Sequence, residues 1–130
     1  MSTAKKILVV DDDIDLLEQV ALMMSGEGYE VVRAQGQDEA EETLLTTIPD
    51  LAIIDLMMEH TDSGFVLCHT IKKLYPETPV IILTAVKAAT GLDFTARTGE
   101  AASWVKADML LDKPVRPEQL KTEVRRLLRA

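Results

Sequence analysis

Polar side chains stand at the ends of several apolar runs in this sequence, and their types suit phosphoryl chemistry. Asp11 and Asp12 follow one run, Asp55 follows another, and Thr84 and Lys113 follow two more. Three crowded carboxylates repel one another unless a cation joins them, and hard oxygen ligands of this kind suit Mg²⁺. A lysine and a hydroxyl beside them would suit the oxygens of a phosphoryl group. These residue types therefore predict a magnesium and phosphoryl site, if the fold brings the ends of the runs together.

The apolar runs themselves are typical of strands buried on both faces, because they are short, continuous and bounded by turn signals. They predict strands at residues 6–10, 29–34, 51–55, 79–83 and 109–111. An unpaired carboxylate buried inside a sheet would cost several kcal/mol. Asp55 is therefore expected to point into a crevice at the carboxyl edge of the sheet, where open α/β folds place their chemistry.

Apolar residues at helical spacing predict helices between the strands. The predicted helices cover residues 14–26, 37–47 and 62–74 and begin again near 117, with Asp13 as the N-cap of the first. The positions expected to pack on the sheet are Ile14, Leu17, Ala21, Met24, Ala40, Leu44, Ile48, Leu67, Ile71, Leu74, Leu120, Val124, Leu127 and Leu128. Residues 86–107 have no clean period and predict an irregular fourth helix region. Right-handed crossovers then give a doubly wound five-stranded α/β sheet with helices on both faces.

The composition narrows the possible functions. The chain has 130 residues, which predicts a single domain over residues 1–130. Its formal net charge of −8 argues against a nucleic-acid-binding face, which would have to be basic. Cys68 is the only cysteine, so an internal disulfide is impossible and a cytoplasmic location is expected. No apolar run approaches the ~20 residues of a membrane span, so no membrane association is expected.

Five short motifs stand out along the chain: Val9-Val10-Asp11-Asp12, Ile54-Asp55-Leu56-Met57-Met58, Asp62-Ser63-Gly64-Phe65, Leu83-Thr84-Ala85 and Asp112-Lys113-Pro114. Together they resemble the motifs of receiver domains in bacterial two-component response regulators. Each motif alone is weakly specific, but five of them in order at predicted strand ends are strong, and the resemblance spans nearly the whole chain. It implies the flavodoxin-like fold of a chemotaxis receiver, with strand order 2-1-3-4-5.

The resemblance also implies a phosphoacceptor and a metal site. Asp55 would accept the phosphoryl group from a sensor histidine kinase or a histidine phosphotransfer protein. Asp12 and Asp55 would hold Mg²⁺ directly, Asp11 would hold it through water, and the backbone carbonyl of Met57 would complete the protein's share. The domain would be a signalling switch that controls an output partner, with no enzymatic activity beyond its own phosphorylation and dephosphorylation.

Four further residues have roles that the resemblance implies. Lys113 would pair with the phosphoryl oxygens, and Thr84 would move toward the phosphoryl group as the switch, assisted by the backbone amide of Ala85. The peptide bond between Lys113 and Pro114 would be cis, as in the family. These roles depend on the motif match, because the sequence alone only places the residues at strand ends.

The sequence departs from the family pattern around the expected switch. Receivers usually carry a proline shortly after the phosphoacceptor, where this chain has Glu59, and an aromatic residue shortly before the lysine, where it has Leu110. The segment between the fourth and fifth strands is also longer than usual. We therefore hypothesise that residues 86–107, which include the only tryptophan, Trp104, read out the switch and form a partner surface with Leu110.

Two other functions remain open from the sequence. A small phosphatase of the haloacid-dehalogenase type would use Asp11 and Asp13 as its Asp-x-Asp pair, although that family needs further helices that 130 residues hardly provide. A flavodoxin-like module that only binds a ligand is the other alternative. The first strand is not followed by a glycine-rich phosphate loop, so a nucleotide or flavin has no evident cradle.

Overall fold

The computed structural model describes residues 4–56, 58, 63–84, 108–113 and 115–129. The predictions for Met57, Glu59, Ala85, Trp104, Pro114 and the segment 86–107 lie outside the described residues. The sites of Asp11, Asp12, Asp55, Thr84 and Lys113 lie within them.

Strands and helices alternate along the chain. In chain order they are β1 (Lys6–Val10), α1 (Ile14–Gly26), β2 (Glu30–Ala34), α2 (Gln37–Leu44), β3 (Leu51–Asp55), α3 (Ser63–Leu74), β4 (Val80–Thr84), β5 (Met109–Asp112) and α4 (Pro117–Arg129). The five strands form one parallel sheet in the order β2-β1-β3-β4-β5. The predicted doubly wound sheet and its strand order are confirmed.

The two faces of the sheet are covered by different helices, because successive side chains of a strand point to opposite faces. One apolar core packs strand residues such as Val10 and Ile54 against α2 and α3. The other packs their neighbours, such as Val9 and Ile53, against α1 and α4. All five residues of β3 and of β4 are buried, as continuous apolar runs between two helical layers require.

Capping and turn residues fix the path from β1 through α1 to β2. The Asp13 side chain accepts hydrogen bonds from the backbone N–H of Asp15 at 3.0 Å and of Leu16 at 3.3 Å, which confirms the predicted N-cap. Gly28 has φ of 93°, a left-handed conformation that other residues adopt only with strain, so it allows the turn into β2. The amino end of α1, next to the end of β1, is therefore held in place by a carboxylate.

Three predicted core positions are wrong because they lie at or beyond helix ends. Ile14 is 55% exposed, Ile48 is 65% exposed and Leu74 is 45% exposed. Ile14 is the first residue of α1 and Leu74 is the last of α3, while α2 ends at Leu44 rather than at residue 47. A 13-residue helix is about 20 Å long and a five-residue strand about 17 Å, so helix ends overhang the sheet.

Candidate functional site

Two adjacent strands bring the acidic side chains together at the carboxyl edge, which we define as the edge where β1, β3, β4 and β5 end. Val10 of β1 is paired with Ile54 of β3, so Asp11 and Asp12 follow β1 beside Asp55, the last residue of β3. Carboxylate oxygens of Asp11, Asp12 and Asp55 all lie within 4.8 Å of one another. The predicted acidic cluster is therefore present in the structure.

Lys113 reaches this cluster from the far side of the sheet. Its backbone N–H donates to the carbonyl of Thr84 at 2.9 Å, which continues the pairing of β5 with β4. Its Nζ lies 2.6 Å from Asp55 Oδ1 and 3.4 Å from Asp11 Oδ2. Thr84, the buried last residue of β4, lies between the strands that carry Asp55 and Lys113. The structure thus places all five predicted strand-end side chains at one edge.

The electrostatics of the cluster are unbalanced, because three carboxylates face one ammonium group. Burial raises the pKa of Asp55 and of Asp11 above the ordinary value of 3.8, although Lys113 opposes both shifts. Burial alone would lower the pKa of Lys113, but the hydrogen bond and charge of Asp55 raise it above 10.5. Lys113 therefore stays protonated, and the carboxylates are held in a negative, partly desolvated environment that favours a further cation.

The donor set fits Mg²⁺. Mg²⁺ prefers hard oxygen ligands and keeps several waters, so a small number of carboxylates with solvent access is suitable. Asp11 and Asp55 are buried while Asp12 is exposed, which leaves one side of the cluster open to water and to a ligand. Because the cluster carries one ammonium against three carboxylates, a divalent ion would reduce the repulsion that burial intensifies.

Asp13 has a structural role beside the cluster. Its side chain caps α1, and its backbone N–H donates to Asp11 Oδ1 at 2.9 Å, which orients the Asp11 carboxylate. Asp13 is not among the residues whose carboxylates meet in the acidic cluster. The phosphatase alternative required Asp11 and Asp13 to act as a pair, so this arrangement counts against it.

Gly64 holds the segment after Asp55 against the end of β3, a contact that sequence reasoning did not identify. A Cβ on Gly64 would lie 2.6 Å from the Cα of Leu56 and 2.7 Å from the carbonyl oxygen of Asp55. The Gly64 N–H donates to the carbonyl of Leu56 at 2.7 Å. The available signal was a glycine in the first turn of a predicted helix, where propensity alone disfavours it. Only glycine allows α3 to begin this close to the acidic strand end.

An apolar groove beside the cluster was also missed. It has a volume of about 360 Å³ and is lined by Asp11, Leu16, Gln19, Val20, Met23, Leu83, Lys113 and Val115. Leu16 and Met23 lie on α1 outside the predicted core positions, and both are only half-buried. The sequence signal for this groove was the presence of apolar residues on α1 outside the face that was predicted to pack on the sheet. The groove gives a partner access to apolar surface next to Lys113 and the carboxylates.

Leu110, which the sequence analysis placed on a partner surface with Trp104, lies in β5. It is half-buried and packs against the core formed with α2 and α3. Its role in partner reading stays a prediction, since Trp104 lies outside the described residues.

Comparisons with known proteins agree on one family. Residues 7–125 match the family described as "Response regulator receiver domain". The "Probable transcriptional regulator ycf27" of Cyanophora paradoxa is 35% identical over 129 residues, which cover 96% of this chain and 48% of that protein. A putative response regulator from Chloroflexus aurantiacus is similar in structure, with a TM-score of 0.83, 30% identity and coverage of 98% of this chain and 100% of that one.

A further solved structure is similar to this chain. The response regulator protein TrrA from Thermotoga maritima, in complex with Mg²⁺-BeF, has a TM-score of 0.77 and 28% identity, with coverage of 95% of this chain and 98% of that one. The chain spans about half the length of the curated relatives that it matches, with 48% of one ycf27 protein covered and 50% of one MprA protein. In the part of the chain that the structure describes, no helix is long and apolar enough to cross a membrane.

Proposed function

Because the chain belongs to the response regulator receiver family of two-component signalling, we propose that Asp55 is its phosphoacceptor and that the acidic cluster is the site of phosphoryl transfer. Family membership confirms the predicted receiver function. The observation that supports the assignment of Asp55 is its contact of 2.6 Å with Lys113 in a cluster whose three carboxylates lie within 4.8 Å of one another.

Asp55 is a better acceptor than either neighbouring carboxylate. Asp11 is 3% exposed and accepts a hydrogen bond from the backbone N–H of Asp13, so attack by its oxygens would break a fixed contact. Asp12 is exposed and is not paired with Lys113 in the described residues, so no fixed cation would meet a phosphoryl group bound to it. Asp55 combines a strand that fixes its position with a cation that lies against its reacting oxygen.

The reaction proposed here transfers a phosphoryl group from a phosphohistidine of a sensor histidine kinase or a histidine phosphotransfer protein. An Asp55 carboxylate oxygen forms a bond to phosphorus while the phosphorus–nitrogen bond breaks, and the imidazole leaves with the electron pair. Lys113 begins paired with the carboxylate and ends paired with the phosphoryl oxygens, so the protein's positive charge is in place before the reaction. The acyl phosphate formed is labile, as a reversible signal requires.

The metal-binding part of the proposal assigns Asp12 and Asp55 as direct ligands and Asp11 as a ligand through water. When bound, Mg²⁺ would supply positive charge that offsets the charge of the phosphoryl oxygens. The relative TrrA was solved with Mg²⁺-BeF, which supports the assignment of a cation to a receiver of this type. Met57, whose carbonyl completes the set expected from the sequence, lies outside the described residues.

The groove beside α1 supports a docking role for the donor protein. It places apolar side chains of Leu16 and Met23 next to Asp11 and Lys113, so a helix that carries a phosphohistidine could bury apolar residues there.

Thr84 and Ala85 would then pass the signal on to an output partner. The matched relatives include transcriptional regulators about twice as long as the region covered, but this domain's own charge of −8 disfavours nucleic acid as its partner. We place the protein in the cytoplasm.

Labelling by a small phosphodonor tests the acceptor assignment. Incubation with acetyl phosphate and Mg²⁺ should add one phosphate to the intact protein, as measured by mass spectrometry, and Asp55→Asn should abolish it. Asp15→Asn is the matched control, because it removes an exposed carboxylate from α1 without touching the cluster. Equal labelling of the Asp55→Asn protein would exclude Asp55 as the acceptor.

A further inference from the structure

A second groove lies between α2 and α3, on the outside of the helical layer. It has a volume of about 620 Å³, and we call it the α2–α3 groove; its walls include Glu41, Glu42 and Leu45 on one side and Thr70, Lys73 and Leu74 on the other. Leu45 is 76% exposed and Leu74 is 45% exposed. Neighbouring large apolar side chains that face water are typical of interaction sites rather than of ordinary surface.

The groove is remote from the acidic cluster. Helices of a doubly wound sheet run antiparallel to its parallel strands, so the carboxyl ends of α2 and α3 lie at the amino edge of the sheet, where the strands begin. Leu45 immediately follows α2, and Leu74 is the last residue of α3. The exposed apolar residues are therefore at the opposite edge from Asp55.

The walls of the groove are held together in the monomer. The Tyr75 hydroxyl, which follows α3, donates to the carbonyl of Leu44 at the end of α2 with a distance of 2.6 Å. This bond joins the two helix ends directly beside the exposed leucines. Because the walls are fixed before any partner arrives, binding there would not have to order them first.

The charges of the two walls are opposite. The α2 wall carries Glu41 and Glu42, whereas the α3 wall carries Lys73 in a basic last turn. Within the described part of the chain, neither Glu42 nor Lys73 is in an ion pair, although both line the same groove. The groove therefore has one acidic side, one basic side and an apolar end, and this pattern is complementary to itself.

We propose that the α2–α3 groove binds a second copy of this chain in a symmetric dimer. A two-fold axis parallel to the helices would place α2 of each copy against α3 of the other, so that Glu42 faces Lys73 of the partner subunit. It would also keep the carboxyl ends of the helices together, and Leu45 would face Leu74 of the partner subunit. An axis perpendicular to the helices would instead set each α2 against its own copy and bring like charges together, which opposes association.

The dimer is expected to be weak and independent of the phosphoryl site. Only a few apolar side chains lie at the apolar end of the groove, whereas stable interfaces bury about 1,200–2,000 Å². The proposal goes beyond the receiver function, since Asp55→Asn lies at the opposite edge and should leave dimerisation unchanged. Loss of phosphorylation without loss of dimerisation would therefore separate the two claims.

Charge reversal tests the proposed geometry. Sedimentation equilibrium of the full chain from about 10 µM to about 1 mM should show a monomer–dimer equilibrium. Glu42→Lys and Lys73→Glu should each raise the dimer dissociation constant by about tenfold or more, because each creates two like-charge contacts by symmetry. The double variant, in which the charges are exchanged, should return the constant to near the wild-type value.

The controls carry the same changes in net charge at other exposed positions. Glu118→Lys on α4 matches Glu42→Lys, and Lys5→Glu matches Lys73→Glu, and neither should alter the equilibrium. Leu45→Ser should weaken the dimer while leaving the circular dichroism of the monomer unchanged. A wild-type chain that remains monomeric at about 1 mM would overturn the proposal and leave the groove to a different protein. A dimer that is equally strong in the double variant and in both single variants would place the interface elsewhere, and this would also overturn it.

Discussion

Lysine–aspartate pairs join distant parts of the chain at both edges of the sheet, but their surroundings differ. At the carboxyl edge, Lys113 Nζ lies 2.6 Å from Asp55 Oδ1 and 3.4 Å from Asp11 Oδ2. At the amino edge, Lys72 Nζ lies 2.8 Å from Asp108 Oδ2, and the same oxygen accepts from the backbone N–H of Val80 at 2.8 Å. Both pairs link segments far apart in sequence, so pairing alone does not distinguish a functional lysine from a structural one.

The difference lies in how completely each charge is satisfied. Lys72 also donates to the carbonyl of Thr78 at 2.8 Å, so one ammonium and one carboxylate at the amino edge are matched and hydrogen-bonded. At the carboxyl edge one ammonium serves a cluster of three carboxylates, and burial raises the pKa of Asp11 and Asp55. The amino-edge pair can therefore stabilise the fold by itself, whereas the carboxyl-edge cluster keeps an excess of negative charge that a further cation would offset.

The largest expected effect is on the rate of phosphorylation, and it should distinguish Lys113 from Lys72. Lys113→Met should reduce the initial rate of phosphorylation by acetyl phosphate about 100-fold or more, since it removes the cation beside Asp55 that, on the proposed function, would pair with the phosphoryl oxygens. Lys72→Met, the matched control, should leave the rate nearly unchanged. Intact-protein mass spectrometry at fixed Mg²⁺ measures both rates. Similar losses in both variants would mean that the Lys113 contact has no special role in the transfer.

The next effect is on stability, and it should distinguish Asp108 at the amino edge from Asp11 at the carboxyl edge. Asp108→Asn should lower the free energy of unfolding by about 1–2 kcal/mol, because it breaks a charged hydrogen bond to Lys72 and weakens one to Val80. Asp11→Asn in Mg²⁺-free buffer should instead raise the melting temperature by a few degrees, since it removes a charge that burial disfavours. Urea and thermal denaturation measure the two changes. Destabilisation by both substitutions would contradict the contrast between a satisfied and an unsatisfied edge.

Much of the carboxyl edge could be predicted from the sequence. Asp11, Asp55, Thr84 and Lys113 each end or follow an apolar run, and parallel strands must end at one edge, so strand assignment alone brings them together. The motif match then suggested a role for each residue. The apolar runs and the helical spacing also predicted the strands and helices, and the resemblance supplied the strand order. The end of α2 was wrong, and Ile48 is exposed, because packing on a short sheet does not extend to the overhanging turns.

The amino edge and the grooves could not be predicted in this way. Lys72 and Asp108 are 36 positions apart and lie on a helix face and before a strand, where polar residues are common and no period constrains them. The contact of Gly64 with Leu56 depends on the exact approach of α3 to β3, which composition does not determine. The sequence predicted the helices and strands but not the contacts between them.

Mg²⁺ should produce a stability effect that is confined to the carboxyl edge. Mg²⁺ at ten times its dissociation constant should raise the free energy of unfolding by about 1.4 kcal/mol, because it binds the folded cluster and not the unfolded chain. Asp12→Ala should remove this response, and Asp108→Asn should retain it. Thermal denaturation with Mg²⁺ and with EDTA measures the difference. A full response in Asp12→Ala would place the ion away from the acidic cluster.

The smallest expected effect is a dependence of stability on pH that belongs to the carboxyl edge. For Asp11, whose folded pKa is raised by burial, the folded state binds a proton more tightly than the unfolded chain does. The stability of the wild type relative to Asp11→Asn should therefore fall as the pH rises from 3.8 through the raised pKa, and it should be constant above that range. Lys113 stays protonated throughout, because its raised pKa lies above 10.5, so it adds no slope in this window.

Urea denaturation of the wild type and of Asp11→Asn in Mg²⁺-free buffer across this pH range measures the difference in unfolding free energy. Mg²⁺ should reduce or reverse the slope, because the ion competes with the proton for the same carboxylates. If the difference in unfolding free energy between the two proteins does not change with pH, burial does not raise the pKa of Asp11 in the folded state. The contrast between the two edges would then rest on hydrogen bonding alone.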